Sequence, residues 1–214
     1  MTTPHPAKYT DALLPTFAKL LRGCTRIYDP FGGTGKLFLL KHWLPDARFY
    51  GTELEPEWAM QQKGMVVGDA LRIPFGDATF DGVCVSLVYG NRMSDRHQAR
   101  DGSKRITYTH TLGRKLHEHN TGQLQWGKQY RRMHEAAWRE VLRVLQVGGS
   151  FVLNCKDHYR DGKLQSVTIW HVDTLCSLGC TVHAWHDIPC PGMGFGQNGA
   201  LRVEFESVIL LVKE

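Results

Sequence analysis

The segment RIYDPFGGTGKLFLLKHWL at 26–44 decides the reading of this chain. Arg26-Ile27-Tyr28 predicts a short strand, Gly32, Gly33 and Gly35 a tight turn, and Leu37 to Leu44 a helix ended by Pro45. Glycines let a backbone turn sharply and approach a ligand where any Cβ would clash. A helix that opens on such a loop directs N–H groups and a positive dipole end toward a negatively charged group. Glu53 follows Gly35 by 18 residues at the end of the strand-like Arg48–Thr52. A carboxylate there can accept both hydroxyls of a ribose. Asp69, in Gly68-Asp69-Ala70 after a third strand MVV, can accept from an adenine amino group. Three consecutive strand ends therefore share one rim, where open α/β sheets bind ligands.

Two other nucleotide motifs fail on particular residues. A phosphate-binding P-loop needs glycine where Pro30 stands and Ser or Thr where Leu37 follows Lys36. A nicotinamide fingerprint needs a third glycine where Phe38 stands.

The flanking sequence repeats the alternation. DALLPTFAKLLR at 11–22 has leucines and Phe17 at helical spacing, EPEWAMQQKG offers a short helix, and DGVCVSLVYG a fourth strand. After Tyr89 the periodicity is lost until YRRMHEAAWREVLRVLQ at 130–146, an amphipathic helix that Gly148-Gly149 should close. SFVLNC is a fifth strand and SVTIWHVDTLCSLG a further helix. TVHAWHDI and LRVEFESVILLV read as an antiparallel edge hairpin across a Gly/Pro-rich loop. The expectation is one α/β domain over 1–214: a mostly parallel seven-stranded sheet with an antiparallel C-terminal hairpin and a basic insertion at about 90–130.

At 214 residues the chain can bury a real core. No apolar run is long enough to span a bilayer, and Met1 to Thr10 lacks a signal-peptide pattern, so a cytoplasmic protein is expected. The six cysteines form no CxxC pair and read as reduced, mostly buried thiols. The net charge of +5 is concentrated: residues 92–143 hold 12 Lys and Arg against 5 Asp and Glu. Such a segment suits a polyanionic partner, although a solvated helical face has the same composition. His117 and His119 have no partner at zinc spacing, so no metal is expected.

DPFGGTG resembles the first motif of amino-directed DNA methyltransferases, GTELEP and GDA resemble their second and third cofactor motifs, and SLVYGNRMSD a variant of their catalytic motif. HPAKYTDALLP is similar to the segment that closes over the cofactor's methionine end, and the combination resembles small bacteriophage methyltransferases. The resemblance implies a Rossmann-like class I methyltransferase fold and S-adenosylmethionine as cofactor. It implies contacts from Asp29, Phe31, Gly32, Gly33, Gly35, Glu53, Leu54, Asp69 and Ala70. The catalytic stretch would be Ser86, Leu87, Val88 and Tyr89.

Methylating an exocyclic amine is a positioning problem. Ser86 and the Leu87 carbonyl would accept the two amino hydrogens while Tyr89 stacks on a base extruded from double-stranded DNA. The family has prolines where Leu87 and Val88 stand. Either surrounding packing fixes the loop instead, or the site takes another acceptor or is inactive. Serine at position 86 resembles the cytosine N4 form more than the adenine N6 form. Asn91, Arg92, Arg131 and Arg132 are the expected nucleic-acid contacts. Cytosine C5 chemistry is disfavoured because Cys190 lies between the last two strands and Cys84 within the fourth. An RNA methyltransferase and a non-catalytic cofactor-binding relative remain as alternatives.

Overall fold

The computed structural model describes residues 3–6, 9–90, 107–190 and 201–214. Its elements, in chain order, are a 3₁₀ turn at Asp11–Leu13, α1 (Leu14–Leu20), β1 (Arg26–Asp29), a 3₁₀ helix at Lys36–His42, β2 (Arg48–Glu53), α2 (Pro56–Ala59), β3 (Met65–Val67) and β4 (Phe80–Ser86). Then come α3 (Tyr108–Leu112), a 3₁₀ turn at Thr121–Gln123, α4 (Lys128–Val144), β5 (Leu145–Cys155), β6 (His158–Arg160), β7 (Lys163–Gln165), α5 (Val167–Ser177), β8 (Cys180–Pro189) and β9 (Phe205–Lys213).

Seven strands form one sheet in the order β3-β2-β1-β4-β5-β9-β8. The first five run parallel and β9 is antiparallel to both β5 and β8. Strand order reverses beside β1, so a crevice opens at the carboxyl ends of β1 and β4, where such sheets take ligands. Central parallel strands are covered on both faces and read as apolar runs. Ile27 and Tyr28 are accordingly fully buried, and the Tyr28 hydroxyl shares a 2.7 Å hydrogen bond with Thr52 on β2. One face packs under α1 through Leu13, Leu14 and Phe17; the other packs under α4 and α5 through Trp138, Val141 and Leu175.

The structure departs from the sequence reading in three places. The helix after the glycine loop is 3₁₀, not α. Leu37 and Leu40, three apart, are its buried pair, which suits a three-residue turn as well as an α-helix. Gly148-Gly149 does not close α4. The helix ends at Val144 because Leu145 is already extended and pairs with Phe80, and the glycines lie inside β5 where its register shifts. The third departure is the hairpin of β6 and β7, turned through Asp161 (φ 50°) and Gly162 (φ 73°). Such an Asp-Gly pair is a strong hairpin signal.

Candidate active site

The carboxyl ends of β1, β2 and β4 open on a cavity of about 190 Å³. Of the sequence-expected cofactor contacts, Asp29, Phe31, Gly32, Gly33, Glu53, Leu54 and Ala70 line it, as do Ser86, Leu87, Val88 and Tyr89. Gly35 and Asp69 do not.

The glycine loop holds itself against β2. Gly32 donates its N–H to the Thr52 carbonyl at 2.8 Å, Gly33 donates to Glu53 Oε2 at 3.0 Å, and Gly35 to the Gly32 carbonyl at 2.8 Å. Gly33 (φ 54°) and Gly35 (φ 78°) occupy left-handed backbone that favours glycine. These three amides are engaged within the protein. The cation on this wall is Lys36, which lines the cavity. Its ammonium pairs with Asp11 at 2.6 Å, donates to the Tyr9 carbonyl, and lies 4.7 Å from the Tyr9 ring centroid.

Glu53 is 9% exposed, with Oε1 accepting the Glu55 N–H at 3.0 Å. Burial pushes its carboxyl up to about 7 against the pull of its backbone donors. Asp29, also buried and near enough to feel Glu53, is likewise pushed up to about 7 by burial. Two buried carboxyls that feel one another in a cleft, each pushed up by burial, are an arrangement common in binding pockets.

Asp69 faces a different depression, with Arg114 and His117. One oxygen accepts the Leu71 N–H at 2.9 Å and the other pairs with His119 Nδ1 at 2.5 Å. That bond raises the His119 pKa above its ordinary value. His119, not Asp69, reaches the cavity wall, alongside Asn120 and Thr121. It belongs to the excursion after Tyr89, whose lack of periodicity hid it.

The opposite wall holds the Ser86–Tyr89 stretch. Asn154 on β5, fully buried, donates to Ser86 Oγ at 3.0 Å and to Glu206 Oε2 at 2.9 Å. The Tyr89 hydroxyl donates to the same Glu206 oxygen at 3.1 Å, and burial, then Glu206, raises the phenol's pKa. The Val88 carbonyl accepts the Tyr130 hydroxyl at 2.6 Å. Behind it, Trp138 Nε1–H donates to His171 Nδ1 at 3.1 Å, which places the imidazole proton on Nε2, 3.1 Å from the Tyr130 hydroxyl. Burial keeps His171 neutral by holding its pKa well below the ordinary range. A buried chain of donors thus anchors the loop that has no prolines.

Near the glycine loop, the rings of His5, Trp58 and Tyr108 cluster with centroids 4.3–5.0 Å apart. Two buried polar atoms of the cavity-lining residues, the Tyr9 hydroxyl and the Trp58 indole N–H, have no hydrogen-bond partner among the described residues.

Of the expected nucleic-acid contacts, Asn91 and Arg92 fall outside the described residues. Arg132 is exposed on α4, and the Arg131 guanidinium lies 5.3 Å from the Trp126 ring centroid. Trp126 in turn donates its N–H to Gly90 at 2.7 Å, so this stretch flanks the exit of the Ser86–Tyr89 loop. Other cations of the basic segment are already paired: Arg114 with Glu55 and Glu57, Arg139 with Glu135, and Arg143 with Glu140 and Asp77. All six cysteines are free; Cys84 is buried with its pKa raised by burial, while Cys176 is exposed, contrary to expectation only for that thiol. Among the described residues no cluster of three metal-ligating side chains occurs, and no helix is long and apolar enough to cross a membrane.

No family model and no curated protein matches the sequence. Solved structures do match the fold. A Burkholderia thailandensis 1,6-didemethyltoxoflavin-N1-methyltransferase with bound S-adenosylhomocysteine is 15% identical, aligned over 95% of this chain and 78% of that one, with a TM-score of 0.54. An S-adenosylmethionine-dependent methyltransferase from Methanosarcina mazei is 14% identical over 93% and 97% of the two chains, with a TM-score of 0.58. The [4+2]-cyclase SpnF is 13% identical over 95% and 80%, with a TM-score of 0.62. A cyclase among such neighbours illustrates that fold alone does not fix the reaction. The chain has the Rossmann-like class I methyltransferase fold, with its cavity at the carboxyl ends of β1, β2 and β4.

Proposed function

We propose that this protein is an S-adenosylmethionine-dependent methyltransferase whose acceptor is an exocyclic amine of a DNA base. The observation that carries the reading is one cavity with two chemically distinct walls: the glycine loop with Glu53 on one, Ser86–Tyr89 on the other. The cofactor wall fits the group. Glu53 offers a buried carboxylate for a pair of ribose hydroxyls, Lys36 a cation for the amino-acid carboxylate, and His119, oriented by Asp69, an imidazole for a purine edge. The unpartnered Tyr9 hydroxyl and Trp58 N–H are further polar atoms for a ligand to satisfy. Bound there, S-adenosylmethionine supplies a methyl group on a positively charged sulfur.

On the acceptor wall, Ser86 Oγ orients the amine and the ring of Tyr89 stacks on the extruded base. Tyr130 holds the Val88 carbonyl, which does by hydrogen bonding what prolines do by ring geometry. This supports the active form of the loop over an inactive one. Arg131 and Arg132, beside the loop's exit, meet backbone phosphates of the duplex. Six free thiols suit a reducing compartment, and we place the protein in the cytoplasm.

A second reading, transfer to a nitrogen of a small molecule, is favoured by the ion pairs that occupy Arg114, Arg139 and Arg143. Expression with a plasmid in methylation-free cells, followed by mapping of modified bases, decides between them. N4-methylcytosine or N6-methyladenine is expected, cytosine first. Unmodified DNA together with measurable S-adenosylmethionine binding would overturn the DNA acceptor and leave the cofactor assignment.

A further inference from the structure

We infer that Glu206 is a catalytic residue of the acceptor wall: its carboxylate accepts a hydrogen of the acceptor nitrogen and takes the proton which that nitrogen loses. The inference rests on the methyltransferase reading above and names a residue and an acceptor chemistry that reading lacks. Glu206 is the second residue of β9, and it lines the cavity together with Ser86 and Tyr89. Because β9 is antiparallel to β5, its N-terminal end lies at the same rim as the carboxyl ends of β4 and β5. Asn154 Nδ2–H and the Tyr89 hydroxyl both donate to Oε2, at 2.9 and 3.1 Å, which fixes the carboxylate's orientation. Among the described residues no donor reaches Oε1 and no Lys or Arg pairs with Glu206.

Of the four side chains in this cluster, Ser86, Tyr89, Asn154 and Glu206, the carboxylate alone is a base able to hold a proton. The acceptor nitrogen's lone pair forms the new N–C bond, and the electron pair of the broken S–C bond returns to sulfur, leaving a neutral thioether. The nitrogen, now positively charged, breaks one N–H bond and keeps its electrons. The proton passes to Glu206 and then to solvent. The acceptor class follows: a neutral nitrogen with a lone pair and at least one hydrogen, not a carboxylate or phosphate oxygen, which Glu206 would repel. A base amine has two hydrogens, one for Ser86 Oγ and one for Glu206, which here takes the part expected of the Leu87 carbonyl.

The test uses the full chain with S-adenosylmethionine and a panel of acceptors: duplex DNA, RNA, deoxycytidine, deoxyadenosine, small primary and secondary amines, a tertiary amine and a carboxylic acid. Release of S-adenosylhomocysteine and product mass are read for wild type, Glu206→Gln and Glu206→Ala. Glu206→Gln keeps an oxygen for Asn154 and Tyr89, so the fold is retained. Expected are a kcat loss of about 100-fold or more with KM for the acceptor and calorimetric affinity for S-adenosylmethionine within twofold, a loss in the range of a removed general base. Added formate should restore part of the Glu206→Ala rate. Wild-type turnover in Glu206→Gln overturns the role of Glu206 while the DNA reading stands. Transfer to a small amine alone, lost in Glu206→Gln, overturns the DNA reading and supports Glu206. Transfer to the tertiary amine or the carboxylic acid overturns the acceptor class, and cofactor binding without transfer to any acceptor overturns both.

Discussion

The Tyr130 hydroxyl and the Val88 carbonyl, 42 residues apart, meet at 2.6 Å. One lies on α4 and the other in the loop after β4, so a helix from the second half of the fold sets the loop's backbone.

Tyr130→Phe should therefore act on both stability and turnover. Leaving the carbonyl and His171 without their shared partner should cost about 1–3 kcal/mol, read as a lower midpoint in denaturant melts. Turnover should fall while calorimetric affinity for S-adenosylmethionine stays near wild type. An unchanged rate in a normally stable variant would separate this contact from loop positioning.

Glu53→Ala should weaken S-adenosylmethionine binding by roughly 10–150-fold, corresponding to a charge-assisted hydrogen bond of about 1.5–3 kcal/mol. Equal affinity by calorimetry, with the fold intact, removes Glu53 from the cofactor wall.

The same carboxyl predicts a pH dependence with opposite signs for stability and binding. Its folded value, about 7, lies above the ordinary 4.5, so across that window the folded chain holds more protons than the unfolded one. Its contribution to stability is fully present below about 4.5 and is lost as pH rises through about 7. Asp29, also at about 7, acts with the same sign. Ribose hydroxyls prefer the ionised acceptor, so cofactor affinity should increase from pH 6 to 8. Glu53→Gln should flatten that rise, and a rise that persists in the variant assigns it to another group.

Binding to duplex DNA should weaken steeply with salt, at ~0.9 counterions released per phosphate contact. Reversing Arg131 and Arg132 to Glu should weaken all sequences alike and make the slope shallower. Fluorescence anisotropy across a salt series checks this; a flat response speaks for a small acceptor.

Tyr89→Phe should keep most activity because the π-face remains. Tyr89→Ala should lose about 5–150-fold, from base stacking worth ~1–3 kcal/mol. Ser86→Ala should lower turnover more than cofactor affinity. If Tyr89→Phe is dead and Ser86→Ala normal in single-turnover assays, the phenol hydroxyl is the working group.

What could be read in the sequence is what local patterns encode. The strand–glycine–helix order at 26–44 and Glu53 at the end of β2 depend on near neighbours, and both stand where expected. The 3₁₀ form of the Lys36–His42 helix was not legible, since a three-residue spacing of leucines serves either helix. His119 lay in a stretch with no periodicity, and Glu206 is 117 residues from Tyr89. Their placement depends on sheet register and a long excursion, which no window of sequence contains. Asp69 shows the same limit: a strand-end carboxylate looks available in the sequence, whereas in the fold a histidine 50 residues away holds one of its oxygens.

The reversal of β9 brings residues far apart in the chain to one wall of the cavity. The glycine-loop wall is built mostly from residues before β4, with His119 added from the excursion after it, whereas the facing wall borrows Asn154 and Glu206 from β5 and β9. On the proposed reading, substitutions around the entry to β9 should alter which nucleophile is accepted and leave the glycine-loop wall as it is.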